Sequence, residues 1–494
     1  MRKVLVLGGP GAGKTEKLLR KVELALEAGI PPARIAFASF TKEAIRLAIK
    51  RACDAFGLTP DDLPNFKTIH AFAFRELGLG RGRVLGDEHL DRVSEITGEL
   101  LTSLTNPFSD APVAGRSADP LLTLDHFART TGRSLADAWS DHGSELEWFR
   151  LLRFNRAYEA YKDDEDVLDF TDMLTRYADS SFPPLDVDVA IVDEAQDLSR
   201  AQWRVANRLF ANAEELFVAG DDMQMIHHWA GADEEKFLGL RAEGFEIENL
   251  PLSHRLPRAP FRLAAEIGAR IGKKYARDWR PSNREGSVDW VAAADEVDFS
   301  GAGLGGDGRW LLLARTRAQL PALAAAARAQ GVAYEVKGEK SVRWADVRAI
   351  KAHEALRGGK KIDREEADAL AKSAGIAFEP FEGSRSAAEL GYDAGRIWHD
   401  ALTEIPLETR EYYLAIMRRG GKLTDEPKVR IETIHGSKGA EAEGVVLVTD
   451  MTYRTSRAME LDEDSEHRVF YVGATRCKEK LILVAPGTQY GYRI

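Results

Sequence analysis

Cysteine is scarce in this chain: Cys53 and Cys477, far apart in sequence, are the only two. So few thiols exclude a disulfide-stapled secreted scaffold and leave the reducing cytoplasm as the default compartment, a host's if the chain is phage-encoded. No stretch approaches the roughly 18 apolar residues that a membrane span requires. The start, MRKVLVLGGPGAGKT, lacks a signal-peptide core because Gly8 to Lys14 cut the apolar run short. Internal repeats and low-complexity segments are absent, which excludes solenoids and fibres. An excess of positive charge is missing too: 68 Lys and Arg face 79 Asp and Glu, for a net charge of -11. That balance argues against a nucleic-acid coat protein while leaving room for a local basic groove.

What remains is a globular composition, 44% hydrophobic and 30% charged over 494 residues. Such a length calls for three or four units of ordinary domain size, some inserted into others.

The strongest local signal is GGPGAGKT, residues 8–15, which satisfies G-x-x-x-x-G-K-T. It follows the strand-like VLVL and precedes the helical EKLLRKVELALEAG, the strand, loop, helix context that the motif needs. Gly8, Gly9, Pro10, Gly11, Ala12 and Gly13 form the loop whose backbone N–H groups can turn toward phosphates. Lys14 reaches the β and γ oxygens, Thr15 ligates Mg²⁺, and the helix N-terminus adds partial positive charge. ATP and Mg²⁺ are therefore the expected cofactors. A Mg²⁺ nucleotide site also needs an acidic group at the end of a second buried strand. VDVAIVDEAQD, residues 187–197, supplies it after the apolar run Val189 to Val192. Asp193 is placed to hold the metal and Glu194 to orient and deprotonate water.

The same chain holds FASFTKEA (37–44), TIHAFAFREL (68–77), GDDMQMIHHWAGAD (220–233), LSHRLPRAP (252–260), IETIHGSKGAEAEGVVLVTD (431–450) and HRVFYVGATRCKEKLIL (467–483). In order and spacing these resemble the motifs of superfamily 1 DNA helicases of the UvrD/Rep/PcrA type. The resemblance covers both ends of the chain. It implies an α/β fold of two RecA-like P-loop NTPase domains with parallel sheets, each carrying a mainly helical insert. It also implies that Gln224 senses the γ-phosphate and that Arg255 and Arg476 are arginine fingers, although either arginine in isolation would be read as a surface ion pair. His254, Gly439 and Glu441 then line the nucleotide. Phe40, Thr41, His70, His227, Trp229, His435 and Ser437 fall at DNA-contacting positions, with Phe40 and Trp229 as base-stacking platforms.

The resemblance further implies a division of the chain. Residues 1–79 and 166–249 form the ATP-binding domain 1A, and 80–165 the helical insert 1B. Residues 250–339 and 425–494 form domain 2A, and 340–424 a small helical insert at the place of 2B. LDFTDML (168–174) resembles the D-F-x-D-L element at which the chain re-enters 1A. This chain departs from the pattern at Glu16 and His254, where an arginine and a tyrosine usually pack on adenine, and at His227 and Ala230. Only seven residues precede Gly8, so the upstream glutamine motif that reads adenine in the family is missing here, and the resemblance does not extend to adenine specificity.

The expected function is ATP-driven movement along single-stranded DNA, 3′ to 5′, with unwinding of tailed duplex. Two alternatives stand beside it: a single-strand-stimulated translocase that does not unwind by itself, and a P-loop ATPase switch or small-molecule kinase that does not act on DNA. In GDDMQMIHHWAGAD, Asp221, Asp222, His227 and His228 invite a metal-cluster reading. Adjacent histidines in an extended segment point to opposite sides and cannot easily share one ion. The segment is expected instead to link Gln224 at the phosphate to Trp229 at a base.

Overall fold

A computed structural model describes the chain except for residues 40–41, 102–118, 143–145 and 302–303 and the side chains of Glu43 and Trp229. It divides into two units, Met1–Arg284 with Met459–Thr475, and Glu285–Ala458 with Arg476–Ile494. Among the described residues each unit is built on one sheet.

In the first unit the strands are β1 (Arg2–Gly8), β2 (Ile35–Ser39), β3 (Phe66–Thr68), β4 (Val189–Asp193), β5 (Glu215–Gly220) and β6 (Glu246–Leu250). They are all parallel, in the order β3-β2-β4-β5-β1-β6. Alternate residues enter opposite cores. Leu5, Leu7, Ala190, Val192, Leu216 and Val218 face one side, and Val4, Val6, Val189, Ile191, Phe217 and Ala219 the other. Burial on both faces explains why these strands read as unbroken apolar runs. The helix Lys14–Glu27 covers one face with Leu18, Leu19, Val22 and Ala25, the spacing of a single helical stripe. Residues register Leu7 with Gly220 and Ser39 with Asp193, so the carboxyl ends of β1, β4 and β5 lie side by side. Ligands of doubly wound sheets bind at that edge.

A helical insert interrupts this unit. Leu85 N–H donates to the Leu168 carbonyl and Leu168 N–H to that of Arg83, both at 2.9 Å, so the chain departs and returns at one point. Between them, the helices Asp87–Thr97, Pro120–Thr131, Leu135–His142 and Trp148–Asp164 surround their own core of Leu90, Val93, Leu124, Leu151, Phe154 and Tyr158. Most of the loop-like stretch 106–120 lies outside the described residues, but Asp119 caps the helix that begins with Pro120. The LDFTDML element anchors the return. Asp169 and Asp172 form a capping box on Phe170–Asp179, and both carboxylates meet Arg129 and Lys162 of the insert, with Lys162 Nζ 2.8 Å from Asp172.

The second unit carries β7 (Ser287–Val291), β8 (Trp310–Ala314), β9 (Tyr334–Val336), β10 (Glu339–Lys340), β11 (Val429–Thr433), β12 (Ala442–Val448) and β13 (Cys477–Val484). Their order is β10-β9-β11-β8-β12-β13-β7, parallel throughout except for the antiparallel pair β9–β10. The strand, helix, strand reading of 310–336 matches β8, the helix Leu320–Ala329 and β9. From Trp344 to Arg418 the chain is mainly helical, with a separate core of Ile350, Leu356, Leu370, Trp398, Leu402 and Tyr413. The fold is thus α/β with two parallel sheets, each interrupted by a mainly helical insert. Among the described residues no helix is long and apolar enough to cross a membrane.

Candidate functional site

β1 ends at Gly8 and the helix begins at Lys14, leaving five residues to make the turn. Gly11 and Gly13 take positive φ, 71° and 80°. A Cβ on Gly11 would lie 2.4 Å from the Cβ of Arg255, and one on Gly9 would lie 2.3 Å from Nε1 of Trp279. The loop is therefore roofed by two later segments of its own unit. Ser253 Oγ–H donates to the Pro10 carbonyl at 2.7 Å and His254 N–H to that of Gly11 at 2.9 Å. Ala12 N–H closes onto the Gly9 carbonyl at 3.1 Å. Within this cradle the buried Lys14 ammonium donates to the Gly8 carbonyl at 2.9 Å. His254 itself is exposed.

Thr15 Oγ1–H donates to Asp193 Oδ2 at 2.9 Å, across 178 positions of sequence. Burial pushes the Asp193 carboxyl up to about 7, and the neighbouring charge of Glu194 adds to the rise. A buried carboxylate beside a hydroxyl is a donor set suited to a hard divalent cation. The glycine cradle and helix N-terminus suit a phosphate chain in the same way. ATP with Mg²⁺ fits these residues. No group of three or more His, Cys, Asp or Glu side chains among the described residues could hold a metal alone.

Beyond Asp193 the chain turns through Glu194, which adopts a left-handed conformation (φ 52°) although it is not glycine. Such backbone strain concentrates at functional sites. Glu194 Oε2 accepts from Gln196 Nε2 at 2.6 Å, and Gln196 Oε1 accepts from the Asp221 N–H at 3.1 Å. Asp221 Oδ2 in turn accepts from Gln224 Nε2 at 2.6 Å. Two predicted residues, Glu194 and Gln224, are thus joined through two that the motif reading gave no role in hydrolysis, Gln196 and Asp221.

The segment 220–233 is not extended, as the sequence reading assumed. It folds into two short 3-10 turns, Asp222–Gln224 and His228–Ala230, because Asp221 caps the first and His227 precedes the second. The opposite-sides argument for its histidines therefore does not apply. His228 Nε2 lies 3.4 Å from Nη1 of the buried Arg468, and the His227 carbonyl accepts from the Ala230 N–H. Phe40, Thr41 and the Trp229 side chain lie outside the described residues. His70 is buried edge-on to Phe170, and burial lowers its pKa to about 3, so the ring is neutral.

The second unit places its expected residues on the loops that follow β11 and precede β13. His435 is half-buried, with its pKa lowered to about 3 by burial and then by Arg315 and Lys438. Ser437 is buried and donates to the Ile434 carbonyl at 2.7 Å. Gly439 takes φ 84°, and the Glu441 carboxylate pairs with Lys478 at 2.8 Å. Arg476 is buried, and its carbonyl accepts from Ala442 N–H at 3.2 Å. Arg255 belongs to the first unit, beside Gly11.

The profile of the UvrD/REP helicase N-terminal domain matches residues 1–243, and that of the UvrD-like helicase C-terminal domain matches residues 408–486. The chain belongs to the UvrD-like helicase family. It is 26% identical over 564 aligned positions to the ATP-dependent DNA helicase UvrD2 of Mycobacterium tuberculosis (strain ATCC 25618 / H37Rv), covering 97% of this chain and 76% of that protein. It is 24% identical to the ATP-dependent DNA helicase PcrA of Bacillus subtilis (strain 168), over 57% of this chain and 40% of that protein. Rep of Buchnera aphidicola subsp. Baizongia pistaciae (strain Bp) is 24% identical over 51% of this chain and 38% of that protein.

In this UvrD-like helicase the residues that the sequence reading missed lie in KKYARDWRPSN, 273–283. Trp279 covers Gly9, and Arg277 pairs with both Asp221 and Asp222. Gln196 was visible inside DEAQD and spaced to reach back to Glu194. Nothing in the one-dimensional pattern marks Arg277, because a buried arginine is spelled like an exposed one.

Proposed function

We propose that this chain is an ATP-hydrolysing DNA translocase and helicase that moves 3′ to 5′ along single-stranded DNA and unwinds tailed duplex. The observation that carries the reading is the junction of Thr15 with Asp193 beneath a glycine cradle that encloses Lys14. Family membership and relatives named ATP-dependent DNA helicases support it. In this reading Lys14 and the N–H groups of residues 8–13 hold the phosphates, and Thr15 and Asp193 hold Mg²⁺. Bound ATP with Mg²⁺ supplies the phosphoanhydride whose hydrolysis drives the cycle. Glu194 takes the proton of the attacking water, and Gln224 senses the γ-phosphate from its seat on Asp221. Arg255 and Arg476 neutralise charge on the transferred group, and His254, Gly439 and Glu441 line the nucleotide.

Phe40, Thr41, His70, His227, Trp229, His435 and Ser437 carry the DNA. Residues 1–79 with 166–249 serve as 1A, 80–165 as 1B, 250–339 with 425–494 as 2A and 340–424 as a reduced 2B. The segment 250–284 brings Arg255 to the P-loop. The site of action is the cytoplasm, or that of a host.

Two assays test the proposal. ATP hydrolysis should rise when single-stranded DNA is added at low salt, and 3′-tailed duplex should be displaced in preference to 5′-tailed or blunt duplex. Hydrolysis indifferent to DNA overturns the motor and leaves a P-loop switch. DNA-stimulated hydrolysis without displacement of any duplex leaves a translocase that does not unwind.

A further inference from the structure

Asp221 and Asp222 stand side by side where β5 ends, and both are fully buried. Two adjacent buried carboxylates need a countercharge that reaches both. Arg277 provides it. Its side chain is only 5% exposed, with Nη1 2.8 Å from Asp221 Oδ1 and Nη2 paired with Asp222. The Tyr275 N–H also donates to Asp222 Oδ2 at 2.8 Å, which fixes the segment that carries the arginine.

Asp221 has other connections. Its Oδ2 accepts from the Gln224 carboxamide, and its N–H donates to Gln196, whose Nε2 bonds Glu194 Oε2. Burial pushes the Asp221 carboxyl up, but Arg277 and then Lys14 outweigh it and hold the group below its ordinary value, hence ionised. An ionised carboxylate grips a carboxamide N–H more strongly than a neutral acid does.

We infer that Arg277 is a positioning residue for hydrolysis: its guanidinium fork fixes Asp221, which fixes Gln224 and, through Gln196, Glu194. The inference rests on the reading of this site as an ATP-hydrolysing centre. A lysine cannot reproduce the role, because one ammonium on a flexible stem lacks the planar fork that spans two carboxylates.

The test uses the full chain with Arg277→Lys, Asp222→Asn and Gln224→Ala. Binding of a fluorescent ATP analogue, thermal unfolding, and the kcat and KM of DNA-stimulated hydrolysis are measured for each. Arg277→Lys should bind the analogue within about 2-fold of wild type while kcat falls about 10- to 100-fold, the scale of a misplaced catalytic group. Asp222→Asn cuts the arm that does not lead to Gln224, so it should lower the unfolding temperature yet keep kcat within about 2-fold. In a Gln224→Ala background, Arg277→Lys should cost much less than it does alone, because both act on one element. Asp221→Asn, which leaves the Arg277–Asp222 pair, carries the same kcat prediction if the lysine variant unfolds. Wild-type kcat in Arg277→Lys, or parallel losses of stability and kcat in Arg277→Lys and Asp222→Asn, overturns the inference. Absence of DNA-stimulated hydrolysis in the wild type overturns the underlying reading instead.

Discussion

Replacing Gly11 with alanine adds one methyl group to a crowded point of the nucleotide loop. Two costs follow. A left-handed φ of 71° costs a side-chain-bearing residue roughly 1–2 kcal/mol. The new Cβ would also lie 2.4 Å from the Cβ of Arg255 and 3.0 Å from its backbone nitrogen, and forcing a methyl group into such space costs about 1–3 kcal/mol. The total is about 2–5 kcal/mol, relieved only if residues 253–255 lift off the loop and the bonds from Ser253 and His254 to Pro10 and Gly11 break. Gly29 provides the control. Its φ is 83°, yet nothing lies within 4 Å of a Cβ there, so Gly29→Ala should cost only the backbone term, roughly 1–2 kcal/mol. The assay is urea unfolding of both variants followed by a probe in the first unit, together with binding of a fluorescent ATP analogue. Gly11→Ala should lose at least about 1 kcal/mol more than Gly29→Ala and bind the analogue at least about 10-fold more weakly, whereas Gly29→Ala binds as wild type. Equal losses in the two variants, or unchanged binding in Gly11→Ala, would refute the reasoning that segment 253–255 presses on the loop.

Other consequences can be checked in the same preparations. Lys14→Ala should abolish ATP hydrolysis and leave DNA binding largely intact; full turnover would overturn the site. Trp229→Ala should raise the DNA concentration needed for stimulation by about 5- to 150-fold, the equivalent of 1–3 kcal/mol of stacking, while basal hydrolysis survives. Equal loss of both activities would make it a core residue. His70 is held neutral, with a folded pKa of about 3 against an ordinary 6.5. Its contribution to stability is therefore complete above pH 6.5 and is lost as pH falls toward 3, about 2 kcal/mol of it by pH 5. His70→Phe should flatten the stability curve between pH 7 and 5 by that amount, and an unchanged slope would show that the ring is protonated in the folded chain.

Much of this site is legible in the order of its amino acids, for specific reasons. GGPGAGKT is legible because its chemistry is local: glycines, a lysine and a threonine at consecutive positions need only a strand before them and a helix after. VAIVDE is legible because a strand covered on both faces cannot hide its apolar run. The segment 220–233 is harder to read. Its polar residues carry no period, and it folds into two short turns, of which Asp222–Gln224 is capped by the Asp221 side chain while His228–Ala230 has no side-chain cap.

By itself the sequence determined the phosphate loop and the buried acid, each written in residue types at fixed short spacing, and the order of its motifs carried the family resemblance that implied a parallel α/β fold. Tertiary structure decided which distant groups became partners: Thr15 with Asp193, Trp279 over Gly9, and Arg277 between Asp221 and Asp222. The physical reason is that burial turns an ordinary arginine into an obligatory countercharge. Burial is a property of the packed sheet edge, and no single residue's identity records it.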